Sequence, residues 1–244
     1  MNETVLPVIT FSIILGMLIT LVFTALAFYQ GLLIMPVTKK YRIKTISILS
    51  MVLLFWAVLA IILAVNGFFA SRSGTKFQFP KIVYIFIPMI LGMIVLKYSK
   101  RFKAIIDAIP LYWLIGIQFI RTTGAVFLVL YFQHLLPGQF ALPAGIGDIL
   151  VGITAPLVAY MYFNKKRGAK KIARLWNIIG TLDLVLALTF GFLTSPSPVQ
   201  LIALDHPNRI IGAYPLVLVP AFAVPLFILH HLFTFRKLNT KIAR

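Results

Sequence analysis

Three ionisable side chains lie well inside long apolar runs of this 244-residue chain: Arg121, Asp148 and Asp183. A charge near the centre of a lipid bilayer costs at least ~2.5–3.5 kcal/mol on insertion scales, so such residues usually face a protein interior or a water-filled cavity. A buried guanidinium and two carboxylates can form ion pairs, bind a polar solute or pass protons. These residues are therefore the first candidates for a functional site.

Each of the three charges shares a helical face with small or polar residues, because positions three and four apart lie on one side of a helix. Small residues let helix backbones approach closely in lipid, so each charge is expected to face another helix. Gln118 joins the candidate site as the polar neighbour of Arg121. The small residues on these faces are Gly124 and Ala125 beside Arg121, Ala144, Gly145, Gly152 and Ala155 beside Asp148, and Gly180, Ala187 and Gly191 beside Asp183.

The composition is that of a membrane protein. Hydrophobic residues make up 61% of the chain and charged residues 11%, whereas a soluble domain carries about a quarter charged residues. The apolar runs are continuous rather than alternating, which predicts an all-α integral membrane fold and not a β-barrel. The absence of cysteine excludes disulfides, thiolate metal sites and a cysteine nucleophile.

The apolar runs predict a bundle of seven transmembrane helices in a single domain, residues 1–244. The third run is short, since fifteen residues rise only ~22 Å against a hydrocarbon core of ~30 Å. A short interfacial helix is expected around Asp107. The first run is expected to be a retained helix, because the residues before it lack the basic region of a signal peptide. The predicted spans are residues 8–28, 46–69, 82–96, 111–133, 143–163, 175–194 and 210–235.

The basic residues set the predicted orientation. Of the 23 Lys and Arg residues, 18 fall in four clusters that follow the first, third, fifth and seventh spans. The positive-inside rule then predicts an outside N-terminus, a cytoplasmic C-terminus and a multi-pass location in the plasma or inner membrane. The expected partners are the bilayer and anionic headgroups at the cytoplasmic loops, together with further copies of the chain, and not nucleic acid.

Counting residues from the span ends gives the depth of each charge. Arg121 lies ~15 Å, Asp183 ~12 Å and Asp148 ~22 Å above the inner edge of the membrane. We expect Arg121 to pair with Asp183 and to reach Asp148 directly or through one water. Asp148, with Gly147 and other glycines around it, is expected to meet the outer solution through a cavity below the connection at residues 137–143.

The leading hypothesis is a proton-coupled or small-solute transporter that uses Arg121, Asp148, Asp183 and Gln118 and needs no cofactor. Two carboxylates and one guanidinium leave one carboxylate without a full partner, and a carboxyl that takes up a proton is what a proton relay needs. The opposing hypothesis is an accessory or sensor protein in which the same charges only hold helices together.

A membrane-embedded hydrolase is a further alternative, with an outward-facing metal site at His134, Asp148, Asp205 and His206. Nothing in the spacing of these residues supports it beyond their shared side of the membrane. The adjacent pair at residues 230–231 matches no other histidine in depth, which argues against a bis-histidine haem. We expect this pair at the headgroup boundary.

Overall fold

The computed structural model describes residues 5–70 and 84–240, and within them it contains helices and no strand. This confirms the all-α prediction. The elements are α1 (Val5–Ile34), α2 (Lys39–Val65), α3 (Phe86–Tyr98), α4 (Lys100–Ala108), α5 (Leu111–Gly116), a 3-10 helix (Ile117–Gly124), α6 (Ala125–Phe132), α7 (Gly138–Phe163), α8 (Ala169–Thr194), a π-helix (Val219–Ala223) and α9 (Val224–Asn239).

Six helical segments in the described part of the chain are long and apolar enough to cross a membrane, as expected of a multi-pass membrane protein. The predicted third span begins at residue 82, outside the described residues. Its described part is α3, whose 13 residues rise ~20 Å and fall short of a ~30 Å hydrocarbon core. The six segments are Leu6–Ile34, Lys39–Val65, Leu111–Phe132, Gly138–Phe163, Ala169–Thr194 and Val219–Asn239.

Several helices begin more than a turn away from the start of the corresponding predicted span. α2 begins at Lys39 rather than residue 46, and α8 begins at Ala169 rather than residue 175. Both helices continue into the basic clusters, since Lys and Arg side chains can extend to water from the end of a span. The last predicted span begins with eight non-helical residues, because residues 210–217 form bends and turns around Gly212 and Pro215.

The predicted fourth span is one helical path with a change of winding in its middle. Residues Ile117–Gly124 adopt 3-10 geometry between α5 and α6. Thr122 and Thr123 donate their hydroxyls to the carbonyls of residues 119 and 120, three positions back. Such back-bonding competes with regular α-helical hydrogen bonding. Because side chains three apart eclipse in a 3-10 helix, Gln118, Arg121 and Gly124 align on one buried line.

α7 is the helix around which the candidate site is assembled. It packs against α5, the 3-10 helix, α6 and α8. Its buried face is the predicted stripe of small residues around Asp148, which confirms that this charge faces other helices rather than lipid. The buried members of the stripe are Ala144, Gly145, Asp148, Gly152 and Ala155.

The basic clusters meet at one end of the bundle. There the end of α1, the start of α5, the end of α7, the start of α8 and the end of α9 surround α4 in one apolar cluster. Asp107 of α4 forms an ion pair with Arg236 of α9, and Lys237 donates to the Asp107 carbonyl. Arg174 of α8 donates to the carbonyl of Leu238. α4 is the short helix that the sequence predicts at this surface.

The contact of α1 with Ile109, the residue that follows α4, provides a test of this packing. A Cβ added to Gly31 of α1 would lie 2.8 Å from Ile109 Cγ1 and 3.0 Å from its backbone nitrogen. Gly31→Ala should therefore lower the melting temperature, because overpacking of this kind costs about 1–3 kcal/mol. The melting temperature would be measured by tryptophan fluorescence in detergent. Gly191→Ala is the control, since its Cβ would meet Phe140 at an ordinary 3.6 Å. Equal melting temperatures for the two variants would contradict this packing.

Candidate functional site

Arg121 is completely buried and holds both carboxylates directly. Its Nε donates to Asp148 Oδ1 at 2.7 Å, and its Nη2 donates to Asp183 Oδ2. The Arg121 side chain is 0% exposed, and those of Asp148 and Asp183 are 12% and 13% exposed. The structure thus brings the 3-10 helix, α7 and α8 together at one guanidinium. Asp148 was expected to lie higher in the membrane than Arg121, yet the two side chains are in direct contact.

A fourth helical segment, α9, reaches the cluster through His231, which the sequence analysis expected at the headgroup boundary. Arg121 Nη1 donates to the Gly180 carbonyl at 3.1 Å and lies 3.3 Å from His231 Nε2. A guanidinium only donates, so Nε2 accepts and the imidazole is neutral. Its Nδ1–H then donates to Asn177 Oδ1 at 2.7 Å.

Asn177 fixes the histidine from two directions. Besides accepting from the ring, it donates from Nδ2 to the His231 backbone carbonyl at 3.1 Å. Both residues are 0% exposed. The expectation that His230 and His231 lie at the headgroup boundary is therefore wrong, since both rings are buried in the bundle. A neutral His231 leaves the cluster with one guanidinium and two carboxylates as its charged groups.

Glycines make this approach of helices possible. A Cβ at Gly147 would collide with the Asp183 carboxylate, and one at Gly124 would lie 2.5 Å from Asp148 Oδ2. At Gly180 it would lie 2.6 Å from the His231 ring. The prediction that Gly145, Gly147 and Gly152 leave room for water or solute is therefore wrong. The Asp183 carboxylate occupies the space at Gly147, and Leu128 and Thr122 occupy the spaces at Gly145 and Gly152.

Gln118 lies one 3-10 turn before Arg121 and contacts α9 one turn before His231. It is 0% exposed, and its Nε2 is 3.4 Å from the Phe227 carbonyl of α9. Its Oε1 has no hydrogen-bond partner within the described residues. The nearby His230 places Nε2 3.3 Å from the hydroxyl of Thr24 in α1. These contacts form a second polar region beside the charge cluster.

A small cavity of about 40 Å³ touches the cluster on the α1 side. Arg121 and Asp148 line it, whereas Asp183 does not. This cavity does not involve the connection at residues 137–143, so the predicted route from there to Asp148 stays a prediction. The other walls come from α1, α6, α8, the π-helix and the start of α9.

The alternative metal site is not assembled. Across residues 5–70 and 84–240 no group of three or more His, Asp or Glu side chains lies close enough to hold a metal ion. The proposed ligands therefore do not form a group with Asp148. They are His134, Asp205 and His206, and all four residues lie in the described ranges.

Asn177 and His231 are the site residues that sequence reasoning missed. A pattern pointing to Asn177 was present, since it lies three residues before Gly180 on the face that carries small residues in α8. It lies near the start of the predicted span 175–194, where a polar residue is ordinary. His231 gave no such indication, because a histidine near a span end is ordinary and only the packing of α9 against α8 brings it to Arg121.

The shared guanidinium predicts a non-additive mutational response. Arg121→Ala leaves two buried carboxylates unpaired and should reduce stability by about 3–5 kcal/mol. Adding Asp183→Asn should restore part of that loss, as seen by thermal unfolding in detergent. Arg236→Ala is the control, because its ion pair with Asp107 is about one-third exposed and exposed pairs contribute ~0–1 kcal/mol. Strictly additive losses in the double variant would argue against the shared ion pair.

Comparison with known proteins gives a family. The family model described as a domain of unknown function, DUF8737, matches residues 77–239. No curated protein and no solved structure matches the chain. The matched segment includes Arg121, Asp148, Asp183, Asn177 and His231, whereas α1 and α2 precede it. Because the match spans more than half of the sequence, the chain belongs to the DUF8737 family.

Proposed function

We propose that this protein is a proton-coupled transporter of a small solute in the plasma or inner membrane, with Arg121, Asp148, Asp183 and Gln118 as its site. The observation that carries the proposal is the sharing of one buried guanidinium by two carboxylates, one of which lines a cavity. A charged cluster of this kind is costly within a membrane, and such residues usually mark ion or proton pathways.

The charge count supports proton uptake at this site. With both carboxylates ionised and His231 neutral, the cluster carries one excess negative charge. Adding a proton to Asp148 removes that excess, and Asp183 keeps the guanidinium paired. Asp148 is the better candidate for exchange because it lines the cavity, whereas Asp183 packs against Gly147.

Irregular helices beside the cluster supply a candidate moving element. Arg121 lies on the 3-10 helix, and the π-helix Val219–Ala223 forms part of the cavity wall. Departures from α-helical winding often mark functional sites and hinges. Protonating Asp148 would weaken its hold on Arg121 and change the balance between two arrangements of these segments, as coupling requires.

The proposed topology has seven spans, with α3 as the short one, an outside N-terminus and a cytoplasmic C-terminus. The meeting of the basic clusters at one end of the bundle supports it, because the positive-inside rule then assigns that end to the cytoplasm. Anionic headgroups at this end, and assembly with further copies of the chain, are parts of the same proposal.

Single cysteines test the topology directly, since the natural chain has none. Lys166→Cys, between α7 and α8, should be protected from a membrane-impermeant maleimide in intact cells and react after the membrane is opened. Ser197→Cys, at the opposite end of α8, should react in intact cells. Labelling of Lys166→Cys from outside would reverse the orientation.

Flux through proteoliposomes tests the function. Vesicles loaded with a pH-sensitive dye would receive an inward proton gradient and a panel of monocarboxylates, amino acids and sugars. We expect Asp148→Asn to lose pH-dependent flux and remain folded, while Asp183→Asn lowers the melting temperature. Asp205→Asn, in the exposed 195–208 loop, is the control that retains flux.

One outcome would favour the structural alternative. If the unaltered protein is folded but moves neither protons nor any solute of the panel, the cluster serves packing and the transporter proposal fails. The protein would then be an accessory or sensor protein with a rigid polar core. The observation that favours this second function is that four N–H groups of Arg121 have acceptors.

A further inference from the structure

The cavity beside Asp148 presents hydrogen-bond acceptors. Apart from Arg121 and Asp148, the polar side chains that line it are Thr20 and Thr123. The Thr20 hydroxyl donates its proton to the Gly16 carbonyl at 2.7 Å, and the Thr123 hydroxyl donates to the Ile120 carbonyl at 2.8 Å. Both hydroxyls therefore have only lone pairs left to offer.

Asp148 adds a third acceptor. Its Oδ1 accepts from Arg121, but its Oδ2 has no hydrogen-bond partner in the described part of the chain, although Asp148 as a whole is only 9% exposed. Oδ2 lies against Gly124, next in sequence to Thr123. A Cβ on Gly16 would lie 3.8 Å from Thr123 Oγ1, so α1 approaches the 3-10 helix closely here.

Most of the N–H donors of Arg121 already have acceptors outside the cavity. Within the described residues, four of its five N–H groups are taken by Asp148, Asp183, the Gly180 carbonyl and His231. The other charged or titratable groups that face Asp148 are thus Arg121 itself, Asp183 from α8 and His231 from α9. Their sum leaves one negative charge uncompensated beside a cavity whose wall is mostly apolar and whose side-chain acceptors are those of Thr20, Thr123 and Asp148.

We propose that this cavity binds a monovalent cation, sodium, through Asp148 Oδ2, Thr20 Oγ1 and Thr123 Oγ1. Hard cations prefer oxygen ligands. A volume of about 40 Å³ accommodates roughly three water-sized particles, which suits one sodium ion with one or two waters. A divalent ion would leave a buried positive excess and requires more oxygen ligands.

Sodium and a proton would compete for the same carboxylate. The role of sodium as a coupling ion rests on the proposed transport function, whereas its binding does not. Binding by the folded state alone raises the melting temperature, so the site is detectable without flux.

The experiment compares the purified protein in sodium chloride and in choline chloride at equal ionic strength and pH 8. Sodium at ten times its dissociation constant should raise the melting temperature by about 3 °C or more. Thr20→Val keeps the side-chain volume, removes one ligand and should weaken the apparent sodium affinity about tenfold or more. Asp148→Asn should abolish the sodium shift.

Thr189→Val is the matched control. The Thr189 hydroxyl also donates to a carbonyl four residues back, at 2.8 Å, but it lies on an exposed face of α8 away from the cavity. This variant should keep the full sodium shift. In the unaltered protein the apparent sodium affinity should fall as the pH is lowered, because protons compete with sodium for the Asp148 carboxylate.

Equal melting temperatures in sodium and choline would overturn the proposal. So would a sodium shift that survives unchanged in Thr20→Val, even if Asp148→Asn does not fold. A sodium shift without any solute or proton flux would retain the site and reject transport. Flux without a sodium shift would retain transport and reject the sodium site.

Discussion

The interaction on which the rest of the bundle depends is the burial of one guanidinium between two carboxylates. An unpaired charge at this depth is strongly unfavourable, so Arg121, Asp148 and Asp183 must meet, and each is on a different helical segment. Their meeting holds the 3-10 helix, α7 and α8 at fixed positions. His231 adds α9 to the same centre through Arg121 Nη1.

Close backbone approach is the geometric condition for this arrangement. Asp183 uses the space left by Gly147, His231 uses that left by Gly180, and Asp148 lies against Gly124. Without a hydrophobic driving force between helices in lipid, packing and interhelical hydrogen bonds supply the association energy. The glycines and the polar cluster therefore act together, because these hydrogen bonds form only where a glycine on the neighbouring helix leaves space for the polar side chain.

The irregular winding near the cluster has a clear consequence for its chemistry. The 3-10 geometry aligns Gln118, Arg121 and Gly124, and the π-helix closes the cavity on the opposite side. The cavity is thus bordered by segments with weaker regular hydrogen bonding than an α-helix. By contrast, the Asp107–Arg236 pair connects two regular helices at the partly exposed end of the bundle. Unlike that pair, the buried cluster combines excess charge, a cavity and non-standard backbone.

By itself, the sequence determined that the chain is an all-helical membrane protein and that Arg121, Asp148 and Asp183 are its unusual residues. Both conclusions depend on local composition: a continuous apolar run requires a helix in lipid, and a charge within it requires a partner. The small-residue faces also predicted which side of each helix is buried. Helix ends were less certain, because helices continue into basic segments where hydropathy has already fallen.

Only the tertiary structure decided that Asn177 and His231 complete the cluster and that the described cavity lies against α1. These features depend on the rotation and axial offset of one helix relative to another. Local sequence does not specify either quantity, and the 3-10 segment changes both by altering the residues per turn. A depth count along ideal helices left two possibilities, direct contact between Arg121 and Asp148 or one bridging water, and the packed bundle places the two side chains in direct contact.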